Sequence, residues 1–274
     1  MNGSFKLGRV AGIGIFIHWT FSLLILYIIY INYREGQNLM QTLWSILFVL
    51  SIFLTVILHE LGHSFAAMKY KIKTQSITIL PIGGLARLQK MPEKPKEELV
   101  VAIAGPLVNI ALAIVTALFI SFPEEGELTE NLIEGIHAGN FFLNFFIVNI
   151  VLAFFNLIPA FPMDGGRIFR ALLAMKFERA KATKIAARIG QFLALGFVVL
   201  GFYGNPFLIL IGLFIMFGAQ SESNMVENKS VLANYRVKDA LITEYKSIEE
   251  KTDIKTVVNI ILNSQYNNFL VLDE

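Results

Sequence analysis

The sharpest chemical signal in this 274-residue chain is His59-Glu60-Leu61-Gly62-His63. Four residues of helix turn about 400° and rise about 6 Å, so two imidazoles at this spacing lie on one face, one turn apart. They can share one divalent cation such as Zn²⁺. Glu60 lies beside them, where it can take a proton from a water that the cation acidifies. The chemistry implied is hydrolysis by activated water. The same five-residue pattern also arises by chance on soluble helices, so its setting decides its meaning. Here it lies in Leu43–Met68, an apolar stretch long enough to cross a bilayer. His63 precedes Lys69 by six residues, which is about 9 Å of helix inside the charged boundary. An acidic group at membrane depth costs about 2.5–3.5 kcal/mol on insertion scales and is rare without a use.

The elements that must position these groups are themselves apolar. The chain is 55% hydrophobic and 16% charged, with a mean hydropathy of +0.61. That is more apolar and less charged than soluble domains, which average about 45–50% and about 25%. A net charge of +2 gives no case for nucleic-acid binding. The absence of cysteine excludes disulfides, thiol catalysis and cysteine-ligated zinc. Six spans are expected: Ile15–Asn32, Leu43–Met68, Val100–Phe122, Ile136–Ile158, Ile185–Tyr203 and Pro206–Ala219. The last two are split by the turn signal Gly204-Asn205-Pro206. Residues 69–98 carry Lys69, Lys71, Lys73, Arg87, Lys90, Lys94 and Lys96; residues 159–188 carry Arg167, Arg170, Lys176, Arg179, Lys181, Lys184 and Arg188. The loop between spans three and four has Glu124, Glu125, Glu127, Glu130 and Glu134 and no basic residue. The positive-inside rule puts the basic loops and both termini in the cytoplasm of a multi-pass protein of the cell membrane. These loops are assigned to topology and to anionic lipid contacts.

A catalytic zinc site needs a third protein ligand. His137 opens span four on the outer side, opposite the histidine pair. His18, next to Trp19, is an interfacial anchor or a ligand by depth. Asp164 follows a helix broken by Pro159 and Pro162, at the same depth as His59 and His63. Gly165-Gly166 lets backbone come close there. Spacing leaves Asp164 open between metal ligand and helix cap.

Together these segments resemble the site-2 protease family of intramembrane zinc metalloproteases. The carriers are the HELGH helix, the later run Asn156-Leu157-Ile158-Pro159-Ala160-Phe161-Pro162-Met163-Asp164-Gly165-Gly166, Gly105-Pro106-Leu107-Val108-Asn109, and Ile79-Leu80-Pro81-Ile82-Gly83-Gly84. Met163 stands where leucine is more usual. The resemblance covers about residues 10–220. It implies that His59, His63 and Asp164 bind zinc, that Glu60 is the catalytic acid/base, and that Asn156 helps hold substrate or the oxyanion. It also implies cleavage of membrane-anchored protein substrates near the cytoplasmic side, usually in regulated signalling. The competing class is a metal-binding transporter or channel, which also needs buried ionisable groups and broken helices.

Thr74–Leu88 has β-branched residues and then Pro-Ile-Gly-Gly, and reads as a short hairpin dipping into the membrane. Ile79, Gly83 and Gly84 are assigned to pairing with an unwound substrate by strand addition. Residues 221–236 read as a polar linker. Residues 237–274, from Val237-Lys238-Asp239-Ala240-Leu241 to the strand-like Phe269–Leu272, resemble the start of a CBS-type domain, which when complete implies an adenine nucleotide. The expected fold is therefore an all-α polytopic membrane protein of about six helices over residues 1–220, with one β hairpin, followed by the start of a soluble α/β domain. Substrate identity and oligomeric state are not encoded in these motifs.

Overall fold

The computed structural model describes residues 3–81, 83–88, 92–120, 135–232, 236, 246–264 and 268–272. Two compact units divide the chain, Met1–Val226 and Glu227–Glu274.

The first unit opens with two strands, β1 (Ser4–Val10) and β2 (Ile13–His18). Two helices follow, α1 (Phe21–Arg34) and α2 (Leu39–Lys69), then β3 (Thr74–Leu80) and β4 (Gly83–Leu88). After them come α3 (Pro95–Ala117), α4 (Phe141–Leu157), α5 (Asp164–Ala174), α6 (Arg179–Tyr203) and α7 (Phe207–Leu232). Among the described residues, α2, α3, α6 and α7 are long and apolar enough to cross a membrane. The apolar helices α1 and α4 are shorter, with 14 and 17 residues.

The strands form one sheet in the order β1-β2-β3-β4. The pairs β1–β2 and β3–β4 are antiparallel, while β2 and β3 run parallel, with Ile17 opposite Ile79. A parallel pair needs a long crossover, and α1 with α2 supplies it. The expected hairpin is thus half of a four-stranded sheet. The reading of Ile15–Asn32 as one helical span is corrected. Ile13, Ile15 and Ile17 alternate along β2, where β-branched side chains suit a pleated surface. Ile13, Ile77 and Ile79 then pack with Phe21 of α1 and Leu61 of α2 in one buried cluster.

Local signals fix the helix ends. At the start of α2, Asn38 Oδ1 accepts from the Gln41 amide at 2.9 Å, and Gln41 Oε1 accepts from the Asn38 amide at 3.0 Å. This reciprocal pair satisfies two of the four orphan donors of a helix start. Pro95 occupies the first turn of α3, where its missing N–H costs nothing. Helix α4 stops at Leu157, because Ile158 precedes Pro159 and takes an extended conformation (ψ 128°). The loop that follows is buttressed: Ala160 and Met163 pack with Ala194 of α6 and Ile215 of α7. Large apolar side chains such as Leu54, Phe154, Phe192, Leu195 and Phe214 are exposed, as lipid contact requires.

Of residues 221–236, read from sequence as linker, 221–232 continue α7 to Leu232. The second unit also contains β5 (Lys246–Glu249), α8 (Ile254–Asn263) and β6 (Phe269–Leu272). β5 and β6 pair in parallel, and α8 lies between them in the chain. The run Val237–Leu241 and the acidic loop 124–134 lie outside the described residues.

Candidate metal centre

His59 and His63 lie on the buried face of α2, and Asp164 is the first residue of α5. All three are under a tenth exposed. His59 Nε2 and His63 Nε2 are 3.1 Å apart. Asp164 Oδ2 stands 3.1 Å from the first and 3.0 Å from the second. The helix start at Met163 has no side-chain cap, and the Asp164 carboxylate turns to the imidazoles. The capping alternative for Asp164 does not hold.

The far side of each ring fixes its tautomer. His63 Nδ1 lies 2.7 Å from the Val101 carbonyl, which only accepts, so this nitrogen carries the proton. His59 Nδ1 lies 3.3 Å from Asn109 Oδ1, another acceptor. With the proton on Nδ1, each ring presents an Nε2 lone pair inward, toward the carboxylate. In that tautomer three electron-pair donors converge, an arrangement that a cation relieves. Tetrahedral zinc with bonds of about 2.0–2.1 Å places its ligand atoms about 3.3 Å apart. The observed 3.0–3.1 Å is close to that separation. The two histidines and one aspartate are also a zinc-type donor set, and the only such cluster among the described residues.

Helix α3 shapes this centre without contributing a ligand. Its Gly105 faces both rings, and a Cβ there would lie 2.2 Å from His63 Nε2 and 2.7 Å from His59 Nε2. Gly165 has a similar reason: a Cβ would meet the Ile158 carbonyl oxygen at 2.2 Å, so only glycine lets α5 begin so close to the end of α4. Arg167 Nη1 stands 4.0 Å from Asp164 Oδ1, the carboxylate oxygen turned away from the imidazoles.

The other expected site residues separate. Glu60 faces β4: a Cβ on Gly84 would come within 3.7 Å of Glu60 Oε1 and 3.2 Å of its Cγ. The end strand of the sheet therefore borders the centre, and the backbone of Gly83 and Gly84 belongs to it. Ile79 is enclosed. It is 1% exposed, and β3 lies between Ile17 of β2 and Gly84 of β4. Its assignment to strand addition is corrected, since of the two hairpin strands β4, not β3, ends the sheet. Asn156 sits near the end of α4 and donates Nδ2 to the Leu152 carbonyl at 2.9 Å, outside the three-residue cluster. His18 closes β2, with Nδ1 2.8 Å from Thr20 Oγ1, and is also outside it.

Sequence reasoning missed the roles of Asn109, the Val101 carbonyl and Arg167. A lone asparagine in an apolar helix is a signal that could have found the first. A backbone carbonyl leaves no trace in the residue types.

Comparisons with known proteins agree with this geometry. The sequence matches the model of peptidase family M50 over residues 47–137 and 128–197. It is 38% identical to a zinc metalloprotease of Methanocaldococcus jannaschii, across 100% of this chain and 76% of that protein. A putative zinc metalloprotease of Synechocystis is 30% identical, across 99% and 74%. Among solved structures, the site-2 protease from Methanocaldococcus jannaschii superposes with a TM-score of 0.54 at 39% identity, covering 80% of this chain and 95% of that one.

Proposed function

The chain belongs to peptidase family M50 and is a zinc metalloprotease, and from that premise we propose that it cleaves membrane-anchored proteins within or beside their transmembrane segments, near the cytoplasmic face. The observation that carries the proposal is the convergence of His59, His63 and Asp164 within 3.1 Å, with the two histidines and Glu60 on a helix long enough to span the bilayer.

His59, His63 and Asp164 hold the zinc. Bound there, it supplies a Lewis acid that acidifies water and polarises a peptide carbonyl. Glu60 accepts the proton of the attacking water and returns it to the leaving amine nitrogen. The Val101 carbonyl and Asn109 hold the imidazoles in the tautomer that keeps both Nε2 atoms basic. Asn156 keeps one amide hydrogen beyond the one it gives Leu152, and offers it to the developing oxyanion.

A helical substrate hides its carbonyls in its own hydrogen bonds. The open edge of β4 supplies an alternative set, so an unwound segment adds to the sheet beside Glu60. The two basic loops support an orientation with both termini in the cytoplasm. A role in regulated signalling, and an adenine nucleotide held by a completed CBS-type domain, belong to the same reading.

The deciding experiment is Glu60→Gln in a reconstituted cleavage assay with a single-span substrate. We expect zinc to be retained at the unaltered stoichiometry and proteolysis to be lost. Proteolysis at the unaltered rate would refute the role given to Glu60.

A further inference from the structure

Arg170 was counted above with the basic residues that set topology, yet its side chain is 1% exposed. It lies on α5, the helix that begins with Asp164. Its Nε donates to Glu98 Oε1 at 2.9 Å, and Nη2 reaches the same oxygen. Its Nη1 pairs with Glu222 of α7. The guanidinium also lies 5.1 Å over the ring of Phe161, in the loop leading to Asp164. Glu98 is 2% exposed, and its other oxygen is 3.2 Å from Arg179 at the start of α6. Arg179 in turn donates to the Pro92 carbonyl at 2.8 Å.

Two cations and two anions thus tie α3, α5, α6 and α7 together. Such a buried network is poor evidence of added stability, because apolar residues of similar volume commonly serve as well. Its value is geometric. Helix α5 has 11 residues, follows a non-helical loop and lacks a side-chain cap, so its place along α3 is set by what its buried face meets. Glu98 precedes Val101 by one turn of α3, and the Val101 carbonyl holds His63. That one turn therefore references both ligand-bearing helices: α2 through His63, and α5 through Arg170.

Resting on the metalloprotease reading, we infer that Arg170, clamped between Glu98 and Glu222, is the positioning residue for the Asp164 carboxylate. Zinc retention then depends on an ion pair that reaches the centre from α7. A shift of α5 along α3 moves Asp164 away from the imidazoles and leaves them in place.

The test measures zinc loss from the full chain in detergent to an excess of a chromophoric chelator, with melting of the metal-free protein measured in parallel. Glu222→Gln and Arg170→Met are the variants, and Arg170→Lys is the conservative control. Groups bonded directly to ligands typically alter metal affinity by about 10–100-fold; acting one step removed, Glu222→Gln should speed zinc loss about threefold to tenfold. Arg170→Lys should fall between the unaltered chain and Arg170→Met, because an ammonium reaches one carboxylate where the guanidinium reaches two. Metal-free melting of Glu222→Gln should match the unaltered chain. If Arg170→Met fails to accumulate, Glu222→Gln carries the test, since it leaves the Glu98 pair intact. Zinc loss at the unaltered rate in every variant would overturn the inference and leave the protease reading standing. Faster loss matched by an equal fall in metal-free stability would also overturn it. An unaltered chain that retains no zinc would overturn both.

Discussion

Replacing Gly105 by alanine inserts one methyl group into the space the two imidazoles occupy. The new carbon would lie 2.2 Å from His63 Nε2, 2.5 Å from its Cε1 and 2.7 Å from His59 Nε2. Non-bonded contacts settle near about 3.5 Å, so the rings must withdraw by more than about 1 Å. They have little freedom to do so. His63 is held at 2.7 Å by the Val101 carbonyl, on the same helix as Gly105, and His59 is backed by Asn109 of that helix. Zinc ligands must stay within about 0.2 Å of ideal distances. A misplacement of about 1 Å commonly costs a hundredfold in rate, which corresponds to about 2.7 kcal/mol. Gly105→Ala should therefore purify with well under stoichiometric zinc by elemental analysis. Its cleavage of a reconstituted single-span substrate should fall at least about a hundredfold. The control is Gly196→Ala on α6, where a Cβ would meet nothing within 4 Å. That change should leave zinc and rate alone and favour the helix by up to about 1 kcal/mol. Full zinc and full rate in Gly105→Ala would refute the packing argument.

Three further outcomes are expected. Asn109→Leu strands the His59 Nδ1 proton without an acceptor and should lower zinc affinity about 10–100-fold, read by competition with a chelator; unchanged affinity would remove Asn109 from the site. Proline moved one position at a time through Gly83–Leu88 should abolish cleavage with zinc intact at alternate positions, where the lost N–H points away from β3; if cleavage survives at all of them, β4 does not pair with substrate. Stripping zinc with a chelator should abolish cleavage and lower the melting temperature, and added zinc should restore both. A site filled at a hundred times its dissociation constant contributes about 2.7 kcal/mol that the stripped protein lacks.

The centre was legible in the sequence because its signals are local. A four-residue spacing puts His59 and His63 on one helical face whatever the tertiary fold, and two prolines ahead of Asp164 break a helix wherever they stand. The N-terminal strands were not legible. Ile13–His18 runs directly into the apolar residues of α1, and a continuous apolar run gives no period by which to separate strand from helix. Thr74–Leu88 announced a hairpin through its turn residues, but which strand ends the sheet depended on β2, whose Ile17 pairs with Ile79, 62 residues later in the chain. That is why Ile79 is expected at the edge together with Gly83 and Gly84, while only the strand of the two glycines ends the sheet. Arg170 misled for a related reason. Charges near a span boundary are counted as solvated, and only the packing of α3, α5 and α7 around them reveals burial.

The lengths of α1 and α4 bear on how the surrounding lipid must arrange itself. At 1.5 Å per residue, 14 and 17 residues extend only about 21 and 26 Å, against a hydrocarbon thickness of about 30 Å. Acyl chains meeting those flanks must compress or tilt, at a fraction of a kcal/mol for each ångström of mismatch. For the single-span substrate proposed above, a helix of ordinary length would exceed such surroundings, and shedding a turn of its coil would be the way to fit.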